Sequence, residues 1–148
     1  MDQLEYRDSE LWEERKAWFE NKLEKGQHSL ANYLVSDQAT ALLIDLQSCF
    51  CAGAFLAVII LSVSVIDAQL RETEARDAKI GTAKLLDQYY TGEHIDWLRR
   101  LRNRYVHVDI NCPAVSVDAQ YNNRVQMESD ARKAIQVIIH SLFQSPGT

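Results

Sequence analysis

Leu46-Gln47-Ser48-Cys49-Phe50-Cys51-Ala52-Gly53-Ala54-Phe55-Leu56-Ala57-Val58-Ile59-Ile60-Leu61-Ser62-Val63-Ser64-Val65-Ile66 is the stretch whose reading decides the fold. It spans 21 positions between Asp45 and Asp67 and holds no charged residue. A transmembrane helix needs about 17–25 mostly apolar residues, so a span over 46–66 has to be weighed. Both flanking charges are acidic, and the nearest basic residues are Lys25 and Arg71. The positive bracket of a membrane helix is therefore missing. No Trp or Tyr belt marks either end, and Gln47, Ser48, Ser62 and Ser64 interrupt the run. The pattern favours a helix buried by its neighbours and disfavours a membrane span. Ser36 can cap this helix with Asp37 in its first turn, and the pattern carries it to about Glu74. Ala52, Gly53, Ala54 and Ala57 would let other helices approach closely.

Upstream, Leu4, Leu11 and Trp18 recur at intervals of seven, with Trp12 and Phe19 beside two of them. Charges fill the other positions, so residues 3–25 read as an amphipathic helix that stops at Gly26. Downstream, Arg71 to Lys79 is rich in charge and ends the long helix. A third helix is expected over Ala78–Tyr90. Thr91 can cap a fourth, from about Glu93 to Val108, which Cys112-Pro113 stops. A loop with a β-like patch, Val115-Ser116-Val117, leads to a last helix over about Asn122–Phe143. Met127, Ala131, Ile135, Ile138 and Leu142 form its apolar stripe. The expectation is one all-α domain over 1–148, a bundle of four to five helices with a long buried apolar second helix. Residues 1–26 form the N-terminal helix, 36–143 the core bundle and 144–148 a frayed tail.

Composition narrows the function. With 148 residues there is room for one core. Gly (5) and Pro (2) are too scarce for a protein of many short strands. The net charge is −5, from 16 Lys and Arg against 21 Asp and Glu, which disfavours coating nucleic acid by bulk charge. No basic segment followed by a short apolar core opens the sequence, so no signal peptide is expected. Three cysteines (Cys49, Cys51 and Cys112) without Cys-x-x-Cys spacing suit a reduced, cytoplasmic compartment and give no metal site. No cofactor loop is recognisable. His28, His94 and His140 are scattered and read as structural or exposed.

Chemistry concentrates in the fourth helix, in Arg99, Arg100, Arg102, Asn103, Arg104 and His107. Four arginines within six positions suit either a local anion or salt bridges to the acidic first helix or to the 71–79 segment. Asn103 and His107 are i,i+4 neighbours in a helix, so the Asn amide could fix the imidazole tautomer. Arg102 lies about 100° round the helix from Asn103. A phosphate could bridge the guanidinium and the imidazole.

Arg102-Asn103-Arg104-Tyr105-Val106-His107 resembles the Arg-x(4–6)-His motif of HEPN domains, in its Arg-Asn-x-x-x-His form. The helix order from about residue 36 to 143 is similar to that family's all-helical bundle. The resemblance implies an enzyme, a metal-independent endoribonuclease cutting single-stranded RNA without a cofactor. It implies a homodimer whose motif helices face each other across one composite cleft. On this sequence His107 would be the general acid/base, Arg102 would bind the phosphate and Asn103 would orient the site. Arg99 and Arg104 are candidates for holding flanking RNA backbone. Asp67 is the candidate for an acidic site residue contributed by an earlier helix. The apolar surplus of the second helix and the Trp-rich first helix would supply the dimer surface. Such enzymes act in defence, stress response or toxin–antitoxin pairs, so an antitoxin or regulatory protein is a possible partner. Some carry a Tyr two positions after the His as a target for neutralisation, where this sequence has Asp109. The alternatives are a catalytically silent HEPN module binding RNA or a protein, a helical interaction protein outside the family, and a small membrane protein.

Overall fold

The computed structural model describes residues 8–27 and 32–146. Leu4, His28, Gly147 and Thr148 lie outside them. Among the described residues the chain forms seven α-helices and no strand: α1 (Ser9–Gly26), α2 (Asp37–Ala52), α3 (Phe55–Leu70), α4 (Thr82–Tyr89), α5 (Ile95–Val106), α6 (Val117–Asn122) and α7 (Arg124–Phe143). The all-α expectation stands, and the count exceeds the four to five expected. One added helix, α6, occupies the segment after the patch expected to be β-like, where Ser116 Oγ accepts from Ala119 N at 3.0 Å.

The expected long second helix is instead a hairpin. Gly53 adopts φ 83°, a left-handed conformation that side chains other than glycine's adopt only with strain. There Gly53 N donates to Phe50 O and Ala54 N to Cys49 O, which closes α2. Two arginines from distant elements cover the carbonyls at this end. Arg15 Nη1 reaches Cys51 O at 3.3 Å, and Arg124 Nη2 reaches Gly53 O at 2.6 Å. Their guanidinium groups lie 5.1 and 4.7 Å from the Phe55 ring centre. Gly53 therefore makes a turn where the small residues had suggested close helix packing.

The start of α2 is as expected, with Ser36 Oγ accepting from Ala39 N at 3.1 Å. α3 takes the centre, packed against α2, α4, α5 and α7. Phe55, Val58, Ile59, Val63, Val65, Ile66 and Leu70 are all buried. Ser62, also buried, satisfies its hydroxyl within the helix by donating to Ile59 O at 2.6 Å. α7 lies along α3 and buries Met127, Ala131, Ile135, Ile138 and Leu142, the expected stripe. α1 contributes buried Phe19, and Trp18 packs 5.4 Å from Phe50. At 16 residues α3 is shorter than a bilayer requires, and no described helix is long and apolar enough to cross a membrane.

α3 ends at Leu70, one turn before Glu74, in a π-type turn over Arg71–Ala75. Arg71 grips Asp67 with two 2.9 Å hydrogen bonds and also donates to Asp77 O and Ile80 O. Thr82 Oγ1 donates to Asp67 Oδ2 at 2.7 Å. Burial works to raise the Asp67 pKa, but the Arg71 and Thr82 hydrogen bonds and the Arg71 charge outweigh it and hold the group below the ordinary Asp range.

Gln144 then fixes the approach to α5 with its whole amide. Nε2 donates to Glu74 Oε2 and Tyr89 O, and Oε1 accepts from Thr91 N and Thr91 Oγ1. Thr91, the expected cap of the fourth helix, is thereby tied to α7, and the residue before α5 is His94 at φ 72°.

Two stability predictions follow from these contacts. Gly53→Ala should cost about 1–2 kcal/mol, which lowers the midpoint of thermal unfolding by roughly 2–8 °C. Gly53→Asn should lose less, since Asn tolerates the left-handed region better. Asp67→Asn should be less stable than the native chain at pH 7. A depressed carboxyl stabilises above its unfolded pKa, about 3.9, and stops doing so as pH falls through its folded value. Urea unfolding should therefore show the native–variant gap closing below about pH 4.

Candidate functional site

α5 has three faces that follow from its 3.6-residue period. Leu98 and Leu101 are buried and Tyr105 is half-buried, which docks the helix. Burial and the nearby Asp130 charge push the Tyr105 phenol up, against the Arg104 charge. Arg100, Asn103, Arg104 and His107 are exposed on the outer face. Arg99 and Arg102 sit between these faces, half-buried on one flank.

Ion pairs form elsewhere. Arg15 and Arg132 share Glu128, at 2.9 and 3.1 Å, and Arg71 holds Asp67. Glu72 accepts from Ser36 Oγ, and Glu74 from Gln144 and Ser145. Among the described residues no carboxylate pairs with Arg99, Arg100, Arg102 or Arg104. Arg99 Nη1 reaches Ala83 O at the start of α4, at a long 3.4 Å. Arg102 Nε is buried and has no hydrogen-bond partner. A buried guanidinium donor left without a partner costs on the order of 1–3 kcal/mol or more.

His107 closes α5. Its N–H donates to Asn103 O at 3.0 Å, but its backbone has left the helix, at φ −121° and ψ 104°. The expected Asn103–imidazole hydrogen bond is not formed, because i,i+4 side chains meet only where both residues are helical. The imidazole stands exposed.

Asp67 is committed to Arg71 and Thr82 and makes no contact with Arg102 or His107. Its Thr82 contact holds the start of α4, where Arg99 of α5 reaches Ala83 O. Arg100, which was not assigned a role, shares the outer face with Asn103, Arg104 and His107. Its i,i+4 spacing to Arg104 was the signal for that.

Part of the apolar surface expected to form a dimer is used inside the chain, while Leu11 on α1 and Ile44 on α2 stay exposed. The apolar run makes the core of α3, and Trp18 is covered by Phe50 and the Arg132 guanidinium, 4.6 Å from its ring centre. Other apolar side chains are exposed at the end of α5 and in the segment that follows it. Val106, Val108, Ile110, Val117, Tyr121 and Val125 are all exposed, Val108, Ile110 and Val125 at 75–88%. Val117, Tyr121 and Val125 recur at four-residue intervals along α6 into α7.

Cys51 is buried, Cys49 partly buried and Cys112 exposed. Burial pushes the Cys49 and Cys51 thiols up, away from the reactive thiolate. No group of three or more His, Cys, Asp or Glu among the described residues is placed to hold a metal ion. Comparison with protein-family models, with curated proteins and with solved structures finds no match to this chain.

Proposed function

We propose that this chain is a metal-independent endoribonuclease of the HEPN type, cleaving single-stranded RNA at a site built by two copies. The observation that carries the reading is α5 itself. It presents Arg102, with its buried unsatisfied Nε, and exposed His107 at the end of one short helix in an all-helical bundle. The unpaired arginines around them suit a phosphate better than a salt-bridge network.

In this mechanism Arg102 donates to the non-bridging oxygens of the scissile phosphate and stabilises the charge that builds up there. The His107 imidazole takes the ribose 2′-OH proton as the 2′-oxygen attacks phosphorus. The bond from phosphorus to the 5′-oxygen breaks, and the partner's His107, entering protonated, gives its proton to that oxygen. The products are a 2′,3′-cyclic phosphate and a 5′-hydroxyl. Asn103 and Arg104 flank the reacting phosphate, and Arg99 and Arg100 hold the neighbouring backbone. Asp67 takes a positioning role, since it anchors the start of α4 against which Arg99 rests.

The exposure of His107 supports a second copy, because one chain does not enclose the reacting groups. The exposed apolar residues that follow it in sequence, Val108 and Ile110 foremost, give that copy a surface. An antitoxin or regulatory protein would act by covering this surface. The missing Asn103–His107 hydrogen bond favours a second reading, a silent module of the same fold that binds RNA without cutting it.

Cleavage of a long single-stranded RNA in EDTA should leave cyclic phosphate ends. His107→Ala should slow it by about 10²–10⁴-fold, and Arg102→Ala by about 10²–10³-fold. Equal rates in all three would overturn the assignment. A folded native chain that binds this RNA and leaves it intact would select the silent module. The dimer has its own check by sedimentation equilibrium. Val108→Asp with Ile110→Asp should weaken self-association about a hundredfold, while Ile44→Asp, an exposed site on α2, should leave it unchanged.

A further inference from the structure

The end of α5 opposite the motif carries a second concentration of cations. There the last turn of α1, the C-terminal half of α7 and the α4–α5 loop meet around His140. Two clefts adjoin at His140 and Gln136. One, of about 430 Å³, opens toward α1 and is lined by Lys22 and Lys25. The other, of about 680 Å³, opens toward the loop and is lined by Lys133 and His94. Each lies in the size range of small-molecule sites, about 300–1,000 Å³.

Three of the six lysines of an acidic chain thus face one place. Among the described residues no carboxylate forms an ion pair with any of them. Lys133 Nζ lies 4.1 Å from the Trp97 ring centre and Lys22 Nζ 6.0 Å from that of Trp18, so aromatic faces hold these two stems. Glu93 is the only carboxylate lining either cleft, and it points to solvent, 90% exposed and 3.7 Å from His94. Three lysines against one exposed carboxylate leave a net positive lining on a chain with 21 acidic residues.

The walls are set by close approach of backbone to α7. A Cβ on Gly92 would come within 2.7 Å of His140 Cδ2 and of Tyr90 Oη, and a Cβ on Gly26 would collide with Ile139. Thr91 Oγ1 donates to Gln144 Oε1 and lies 3.0 Å from His140 Nε2. The Thr91 hydroxyl thus ties the His140 ring to the loop before α5.

We propose that the two clefts form one binding site for a phosphate-bearing ligand, held by Lys22, Lys25 and Lys133 with His140 at its centre. Lysine supplies compact point charges that suit phosphate without demanding a planar, bidentate geometry. The site is separate from the motif, since the 12 residues of α5 place about 18 Å between the two ends. The phosphate is carried either by a free small molecule or by a polynucleotide backbone that runs along α5.

The probe is sodium pyrophosphate, titrated into the full chain and followed by amide NMR and calorimetry. Shifts should centre on Gly26, Gly92 and His140. Lys22→Gln, Lys25→Gln and Lys133→Gln combined should weaken binding at least about tenfold, one factor of ten being about 1.4 kcal/mol. Lys79→Gln with Lys84→Gln should change it less than about twofold. Shifts confined to Arg99–His107, or unchanged affinity in the folded triple variant, would overturn the site. The shift map of the native chain decides the matter should the triple variant fail to fold. A 2′-O-methyl RNA 12-mer, which has phosphates but no attacking hydroxyl, separates the two sources. Loss of both ligands in the triple variant assigns a polynucleotide, and loss of pyrophosphate alone assigns a free anion. Neither readout depends on RNA cleavage, so this site and the ribonuclease reading can fail separately.

Discussion

The left-handed turn at Gly53 is the constraint on which the rest of the structure depends. A run of 21 uncharged residues must leave water. As one straight helix it would extend about 31 Å, longer than a 17 kDa bundle can bury all round. Reversal at Gly53 halves that length and lays α3 on α2, so that four helices can enclose it. The turn exposes the carbonyl end of α2, and Arg15 and Arg124 cover it from opposite ends of the sequence. The hairpin therefore recruits α1 and α7 through its polar end as well as through its apolar sides.

α5 inherits its position from polar contacts. Asp67, Arg71 and Thr82 end α3 and begin α4, and Gln144 ties the loop after α4 to the last turn of α7. Between these two anchors only Leu98 and Leu101 of α5 are fully buried. A 12-residue helix with two buried anchors and an outer face of Arg100, Asn103, Arg104 and His107 is docked as a carrier of side chains. Ile95, Trp97 and Tyr105 pack against the core beside these two anchors.

Much of this architecture was legible in the sequence, because helical period and capping are local signals. The α7 stripe, the Ser36 cap and the stop of the charged segment before α4 follow from them directly. The hairpin was not legible in the same way. Gly53 amid small residues reads equally as a packing notch, and only the distant partners Arg15 and Arg124 make the turn the better solution. The motif helix was found from residue type and spacing, yet its state was not. Whether four arginines meet acids or stay free depends on which carboxylates Glu128, Asp67 and their neighbours leave over. Asn103 and His107 satisfied the i,i+4 rule on paper, and helix fraying at His107 removed the geometry the rule assumes. Apolar residues alone likewise do not reveal whether the core or the surface will claim them, and here α3 enters the core while Trp18 packs against it.

The distribution of leftover charge ties these parts together. A chain of net charge −5 repels a polyanion over most of its surface. Arg15, Arg71 and Arg132 are neutralised by carboxylates or bound to backbone carbonyls. The cations left without a carboxylate include the outer and flanking arginines of α5 and the lysines around His140, at the two ends of the same helix. Screening over about 8–10 Å at ordinary salt keeps these regions distinct from the acidic surface around them. Under the proposed function, a phosphate chain would meet attraction along α5 and repulsion beyond it.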